Sequence, residues 1–96
     1  MHLASDNTTA TEYHLIATEY VGTTLRLPML GSYGDNEGEH CVVRIYLPFD
    51  TSINLNQLHE LRQRIESKHD SDCSLAVRAC EDALVLDMIV LPKLAK

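Results

Sequence analysis

Five charged residues in this chain stand inside apolar or β-forming runs and have chemistry to offer: Glu19, Arg26, Arg44, Arg78 and Asp87. Asp87 is the sharpest case. It interrupts the run Ala-Leu-Val-Leu-Asp-Met-Ile-Val-Leu at 83–91, where an ionised carboxylate costs several kcal/mol unless it is paired. Arginine suits that pairing because its planar fork meets a carboxylate with two donors. Two readings follow. In the first, Asp87 makes cross-strand ion pairs with Arg44 or Arg78 beneath a partner subunit. In the second, Asp87 orients guanidinium groups that hold an anionic small molecule.

The other polar constellations offer less. His69-Asp70-Ser71-Asp72-Cys73 has nitrogen, oxygen and sulfur donors for a zinc ion, but its spacing matches no standard zinc pattern and reads as a helix end. His40 and Cys41 are adjacent, so on a strand they point to opposite faces. Cys41 falls on the apolar side, where a thiol is inert. Gly31, Gly34 and Gly38 lie in a stretch joining two strands and opening no helix, so they do not cradle a phosphate. Asp35, Glu37 and Glu39 in that stretch read as solvated charges. No serine sits in a nucleophile elbow. No catalytic residue, metal site or cofactor is expected.

The elements that would position the charged cluster come next. Residues 1–12 are polar and read as a disordered tail. Strands are expected at 13–21 and 24–30, joined by Gly22-Thr23 as a hairpin loop. A loop is expected at 31–39 and a third strand at 40–47, ended by Pro48. Asn54 and Gln57 form a capping box, with Ile53 and Leu58 as a hydrophobic staple. Leu55, Leu58, Leu61 and Ile65 then make the apolar stripe of the only helix. Strands at 73–80 and 83–91 close the chain, with Glu81-Asp82 as their turn. The last of these is apolar on both faces and belongs in the middle of a sheet. The expectation is an α+β domain over 13–96: a mainly antiparallel five-stranded sheet, β-β-β-α-β-β, in the order 1-2-3-5-4 with one helix on one face.

In that arrangement Glu19, Arg26, Arg44, Arg78 and Asp87 collect on the face away from the helix, beside Tyr46, Val85, Ile89, Leu15, Ala17, Leu30, Val42 and Leu91. Such a face is too apolar to stand in water. With one helix spent on the other side, a second copy of the chain is the simplest cover.

Composition narrows the function. Ninety-six residues suit one domain. A net charge of −6 with no basic run argues against nucleic-acid and anionic-membrane partners. No apolar run is long enough for a transmembrane helix, and the N-terminus lacks signal-peptide features. The cysteines are odd in number, three. Cys73 and Cys80 would lie about 23 Å apart on one extended strand, too far to pair. That usage suits a cytoplasmic protein.

By topology alone the element order and acidic balance resemble the dimeric chaperones of type III secretion, which carry further helices before and after the sheet. The expected function is a small, acidic, non-enzymatic protein-binding module, an adaptor, chaperone-like factor or inhibitor, acting as a homodimer. The alternative is an anion sensor or enzyme built on the arginine cluster. The candidate partner- or anion-binding residues are Glu19, Arg26, Arg44, Tyr46, Arg78, Val85, Asp87 and Ile89.

Overall fold

The computed structural model describes residues 3–93. Its elements are α1 (Leu3–Glu19), one π-helical turn (Tyr20–Thr24), β1 (Gly31–Glu37), β2 (His40–Pro48), α2 (Leu55–Glu66), a 3-10 turn (Lys68–Asp70), β3 (Asp72–Cys80) and β4 (Ala83–Leu91). The class is α+β. The sheet has four strands in the order β1-β2-β4-β3, every neighbouring pair antiparallel. Both helices share one core with one face of that sheet. The expected five strands, their order and the single helix do not hold.

The largest correction is at the N-terminus. Residues 13–21 are helix and π-turn rather than strand, and α1 also takes in residues 3–12 of the expected tail. Residues 1–2 and the basic end at 94–96 lie outside the described residues. The period of burial at 13–21 is helical rather than that of a strand. Ala10, Tyr13, Ala17, Tyr20 and Val21 are buried, a spacing of three and four that belongs to one face of a helix. A period of two would have buried Leu15 with Tyr13 and Ala17, yet Leu15 is 61% exposed while the other two are at 0%. Alanines and tyrosines make a faint apolar stripe, and their fit against the sheet settles the conformation.

Tyr13 fastens α1 to the far end of α2. Its hydroxyl is hydrogen-bonded to Ser71 Oγ, which donates to the Lys68 carbonyl at 2.5 Å. Beside it, His69 Nε2 meets Glu12 Oε1 at 2.8 Å. Burial pushes the Tyr13 phenol above its ordinary pKa.

Residues 24–30, expected as the second strand, are the connection from α1 to the sheet. Leu25 N–H donates to the Tyr20 carbonyl at 2.9 Å and Leu27 N–H to that of Val21 at 3.1 Å. Arg26 adopts φ 59°, which no strand residue does. Leu30 N–H then reaches the Tyr46 carbonyl at 2.7 Å and starts the ladder.

The expected loop at 31–39 is a hairpin. β1 pairs with β2 from Gly31 opposite Tyr46 to Glu37 opposite His40, and Gly38 takes the turn at φ 76°. Glycine is unpromising in a strand, but Gly34 has a reason to be there. A Cβ on it would lie 2.8 Å from His14 Cβ and 3.0 Å from the Ala10 carbonyl oxygen. Its bare backbone lets α1 lie against the edge of the sheet.

α2 starts where expected. Asn54 Oδ1 accepts from Gln57 N–H and Gln57 Oε1 from Asn54 N–H, each at 2.9 Å. Such a cap is worth about 1 kcal/mol. Glu60 and Arg64 pair at 3.2 Å. Leu61 and Ile65 are fully buried, and Ile53 and Leu58 pack at the core's edge. Leu55 departs from the expected stripe, since it is 80% exposed.

β4 lies between β2 and β3. Its Leu86, Met88 and Val90 interleave with Val43, Ile45 and Leu47 of β2, all fully buried beneath the helices. Each such side chain contributes roughly 1.5–3 kcal/mol. β3 takes β4's other edge and runs parallel to β2, because α2 returns the chain to the same end of the sheet where β2 began.

Candidate functional site: the outer face of the sheet

Strand alternation splits β2 and β4 between two environments. The odd residues of β2 and the even residues of β4 face the helices. Val42, Arg44 and Tyr46 of β2 face outward, with Val85, Asp87, Ile89 and Leu91 of β4. β3 adds Arg78, which lies opposite Val85, and β1 adds Tyr33, opposite Arg44. No described element lies over this face.

Asp87 is its centre. Arg44 is its direct cross-strand neighbour, and Arg44 Nε donates to Asp87 Oδ1 at 3.0 Å. Arg78, one diagonal step away, donates from Nη2 to Oδ2 at 2.5 Å. Both carboxylate oxygens are thus bonded, and the Asp87 side chain is 12% exposed. Arg44 Nη1 also donates to the Tyr33 hydroxyl. The hydrogen bond to Asp87 comes first among the influences that raise the Arg44 guanidinium pKa above its ordinary value. The long side chains close over their neighbours, so Val85 and Val42 are buried even here. Tyr33, Ile89 and Leu91 remain exposed around the cluster.

Six of the expected site residues therefore come together: Arg44, Tyr46, Arg78, Val85, Asp87 and Ile89. Glu19 and Arg26 do not. Glu19 ends α1 beside Tyr20 and Arg64, and Arg26 lies in the connection. Both were placed on the face through a hairpin that does not form. Leu15 and Ala17 leave the face for the same reason, Ala17 going into the core. Tyr33 was missed. Its only signal was its place between two small residues in a glycine-rich run, where strand alternation could not be recognised without the partner strand.

The cluster is built to stand, with little capacity left to react. Two guanidinium groups share one carboxylate, leaving one net positive charge. A shallow pocket of about 170 Å³ opens between Arg44, Tyr46, Arg78 and Val85. The segment considered for metal is not gathered. His69 turns to Glu12, Asp72 meets Lys93 at 3.6 Å, and Cys73 is buried in the core. Among the described residues no group of three metal-ligating side chains converges, and no helix is long and apolar enough to cross a membrane.

The thiols are all free, Cys41 and Cys73 buried and Cys80 exposed. Burial, then the Glu66 carboxylate, pushes the Cys73 thiol up to about 12. Only Cys80 should react quickly with a thiol reagent at pH 8. Fast labelling of Cys41 would mean that β2 turns its other face to the helices. The raised thiol also makes the fold sensitive to alkali. A cysteine that holds its proton more tightly when folded supplies stability in full below its unfolded pKa, here 9.0, and loses it as pH rises toward about 12. Chemical denaturation between pH 8 and 11 should show stability falling, by up to about 1.4 kcal/mol per pH unit above 9. Cys73→Ala should flatten that slope, and an unchanged slope would remove Cys73 as its source.

Neither a protein-family model, nor a curated protein, nor a solved structure matches this chain.

Proposed function

We propose that this chain is a small, non-enzymatic protein-binding module of the cytoplasm that pairs with a second copy of itself through the outer face of its sheet. One observation carries the reading: the Asp87 carboxylate at the centre of that face is already paired from within. Burying an unpaired carboxylate or guanidinium under a partner is strongly unfavourable. Here Asp87 keeps both its arginines when water is removed, and the exposed Ile89, Leu91 and Tyr33 around it gain by being covered. Arg78, more than half exposed on the rim, keeps its excess charge in solvent. Two copies of one sheet can meet face to face about a two-fold axis. Three free thiols suit a reducing compartment.

Sedimentation tests the pairing. The protein should sediment as a dimer at tens of micromolar, and Ile89→Glu should make it a monomer with unchanged far-ultraviolet circular dichroism. Ile89 is the position to change because it is 46% exposed, whereas Val85, at 3%, would report on folding instead. A wild-type monomer at that concentration would sink the pairing.

The pocket between Arg44 and Arg78 supports a second reading, an anion sensor. Asp87 already offsets one of the two guanidinium charges there, which makes it the weaker reading. A thermal-shift screen of anionic metabolites tests it: stabilisation by one ligand and not by phosphate in general would favour it.

A further inference from the structure

The two edges of the sheet are finished differently, and the difference marks an interaction surface away from the outer face. Hydrogen-bonding direction follows from the hairpin registers. Glu81-Asp82 is a two-residue turn closed by Cys80 opposite Ala83. The closing pair of such a turn exchanges both hydrogen bonds, and pairs alternate from there. Arg78, Ala76 and Ser74 therefore bond to β4, and the N–H and C=O groups of Leu75, Val77 and Ala79 point away from the sheet. Cys73 agrees with this phase, because its N–H leaves the ladder and donates to Glu66 Oε2 at 3.2 Å. That carboxylate stops one end of the edge. No described backbone group bonds to the other three residues.

β1, the opposite edge, is guarded. The same counting sends Ser32, Gly34 and Asn36 outward. α1 leans on Gly34, His14 Nε2 meets Ser32 Oγ at 2.9 Å, and Asp35 Oδ1 takes the Asn36 N–H at 2.9 Å. Beyond the end held by Asp72 and Glu66, β3 has no lysine, proline or bulge, and its one arginine points to the outer face. Beside this edge α2 leaves an open groove of about 340 Å³, lined by Leu55, Leu58, His59, Arg62, Leu75 and Val77. Leu55 is 80% and Val77 40% exposed. Arg62 stands over it with only a loose contact to Glu66, at 4.0 Å.

We propose that the open edge of β3, with the groove beneath α2, takes an extended peptide segment of another protein as a fifth strand. The row of main-chain donors and acceptors dictates an extended backbone as occupant. Its alternate side chains enter the groove, an apolar one among Leu55, Leu58, Leu75 and Val77, and an acidic one against Arg62 and His59. A second copy of β3 fits poorly. A two-fold pairing centred on Leu75 or Ala76 needs the Cys73 N–H, which Glu66 already holds. Centring it on Val77 puts the two Arg78 side chains diagonal to each other on one face, where like charges repel. This surface goes beyond the face-to-face pairing proposed above and does not depend on it.

The test is to pan a phage library of random dodecapeptides on the protein, then titrate the best binder, made with a fluorescein label, by anisotropy. Enriched peptides should alternate apolar residues and carry an acid. Leu75 and Val77 amides should exchange more slowly in the complex. Val77→Pro removes an edge donor that no ladder bond uses, and should weaken binding by about tenfold or more. Should that variant misfold, Leu55→Glu, at an exposed position, should weaken the same peptide by repelling its acid. Ile89→Glu should leave peptide binding intact whether or not it alters sedimentation, so this surface and the outer face fail independently. The proposal is overturned if no peptide enriches, if the best binder ignores both groove variants, or if Val77→Pro dissolves a wild-type oligomer that Ile89→Glu leaves whole, which would make the second copy the occupant.

Discussion

Alanine at Gly34 should destabilise the fold by roughly 2 kcal/mol, and valine by more, although both favour strands over glycine. The clash decides the sign. A Cβ there meets the Ala10 carbonyl oxygen at 3.0 Å and His14 Cβ at 2.8 Å. The first is helix backbone, and the second is fixed to it, so neither can swing aside. Relief requires α1 to lift from the sheet, loosening Ala10, Tyr13 and Ala17 from the core. Gly31→Ala is the control. A Cβ at Gly31 meets nothing within 4 Å. Alanine there should be neutral or stabilise by about 0.5 kcal/mol, through the lower conformational entropy of the unfolded chain. Urea melts of the two alanine variants should therefore move in opposite directions. If Gly34→Ala is as stable as the parent, α1 does not approach the sheet as described.

Asp87→Ala should cost about 2–3 kcal/mol, among the largest losses from any single polar side chain in the described structure. It leaves Arg44 and Arg78 facing each other across an apolar patch, both having lost the carboxylate, with Arg44 keeping only the Tyr33 hydroxyl. Solvent access to Arg44, one-third exposed, and to Arg78, more than half exposed, keeps the loss below that of a fully buried pair. Removing all three charges is a different experiment. Arg44→Met with Asp87→Leu and Arg78→Met should recover most of the stability, because the cluster's desolvation cost goes with its attraction. Thermal or chemical melts of the single and triple variants decide it. A triple variant no better than Asp87→Ala would mean that the cluster contributes net stability. The triple variant should also precipitate more readily, since it leaves the centre of the outer face apolar.

The legible parts of this chain were those whose cause lies within a few residues. The start of α2 could be read from Asn54 and Gln57 because a capping box is closed by atoms three residues apart. The central place of Ala83–Leu91 could be read because only a strand covered on both faces tolerates apolar residues on both. From the Glu81-Asp82 turn came the register that puts Arg78 opposite Val85 and diagonal to Asp87, whereas the place of Arg44 directly opposite Asp87 came from the pairing of β2 with β4. So the heart of the candidate site was visible without the structure, although Glu19 and Arg26, placed there through a mistaken hairpin, were not part of it.

Residues 3–39 were decided by the tertiary structure. β-forming residues at 13–21 became helix because Tyr13, Ala17 and Tyr20 fill the space over β1 and β2, and burial there outweighs a propensity worth a few tenths of a kcal/mol per residue. The glycine-rich run at 31–37 became a strand because β2 offered it an edge and α1 needed a position without a side chain. Nothing local distinguishes such a run from a loop. By itself the sequence determined the α+β class, the cap of α2, the central strand and the pairing of Asp87 with arginine. Only the packing of α1 decided that the sheet has four strands and that both helices take one face, because helix or strand at 13–21 turned on a contact with residues more than fifty positions away, the one between Tyr13 and Ser71.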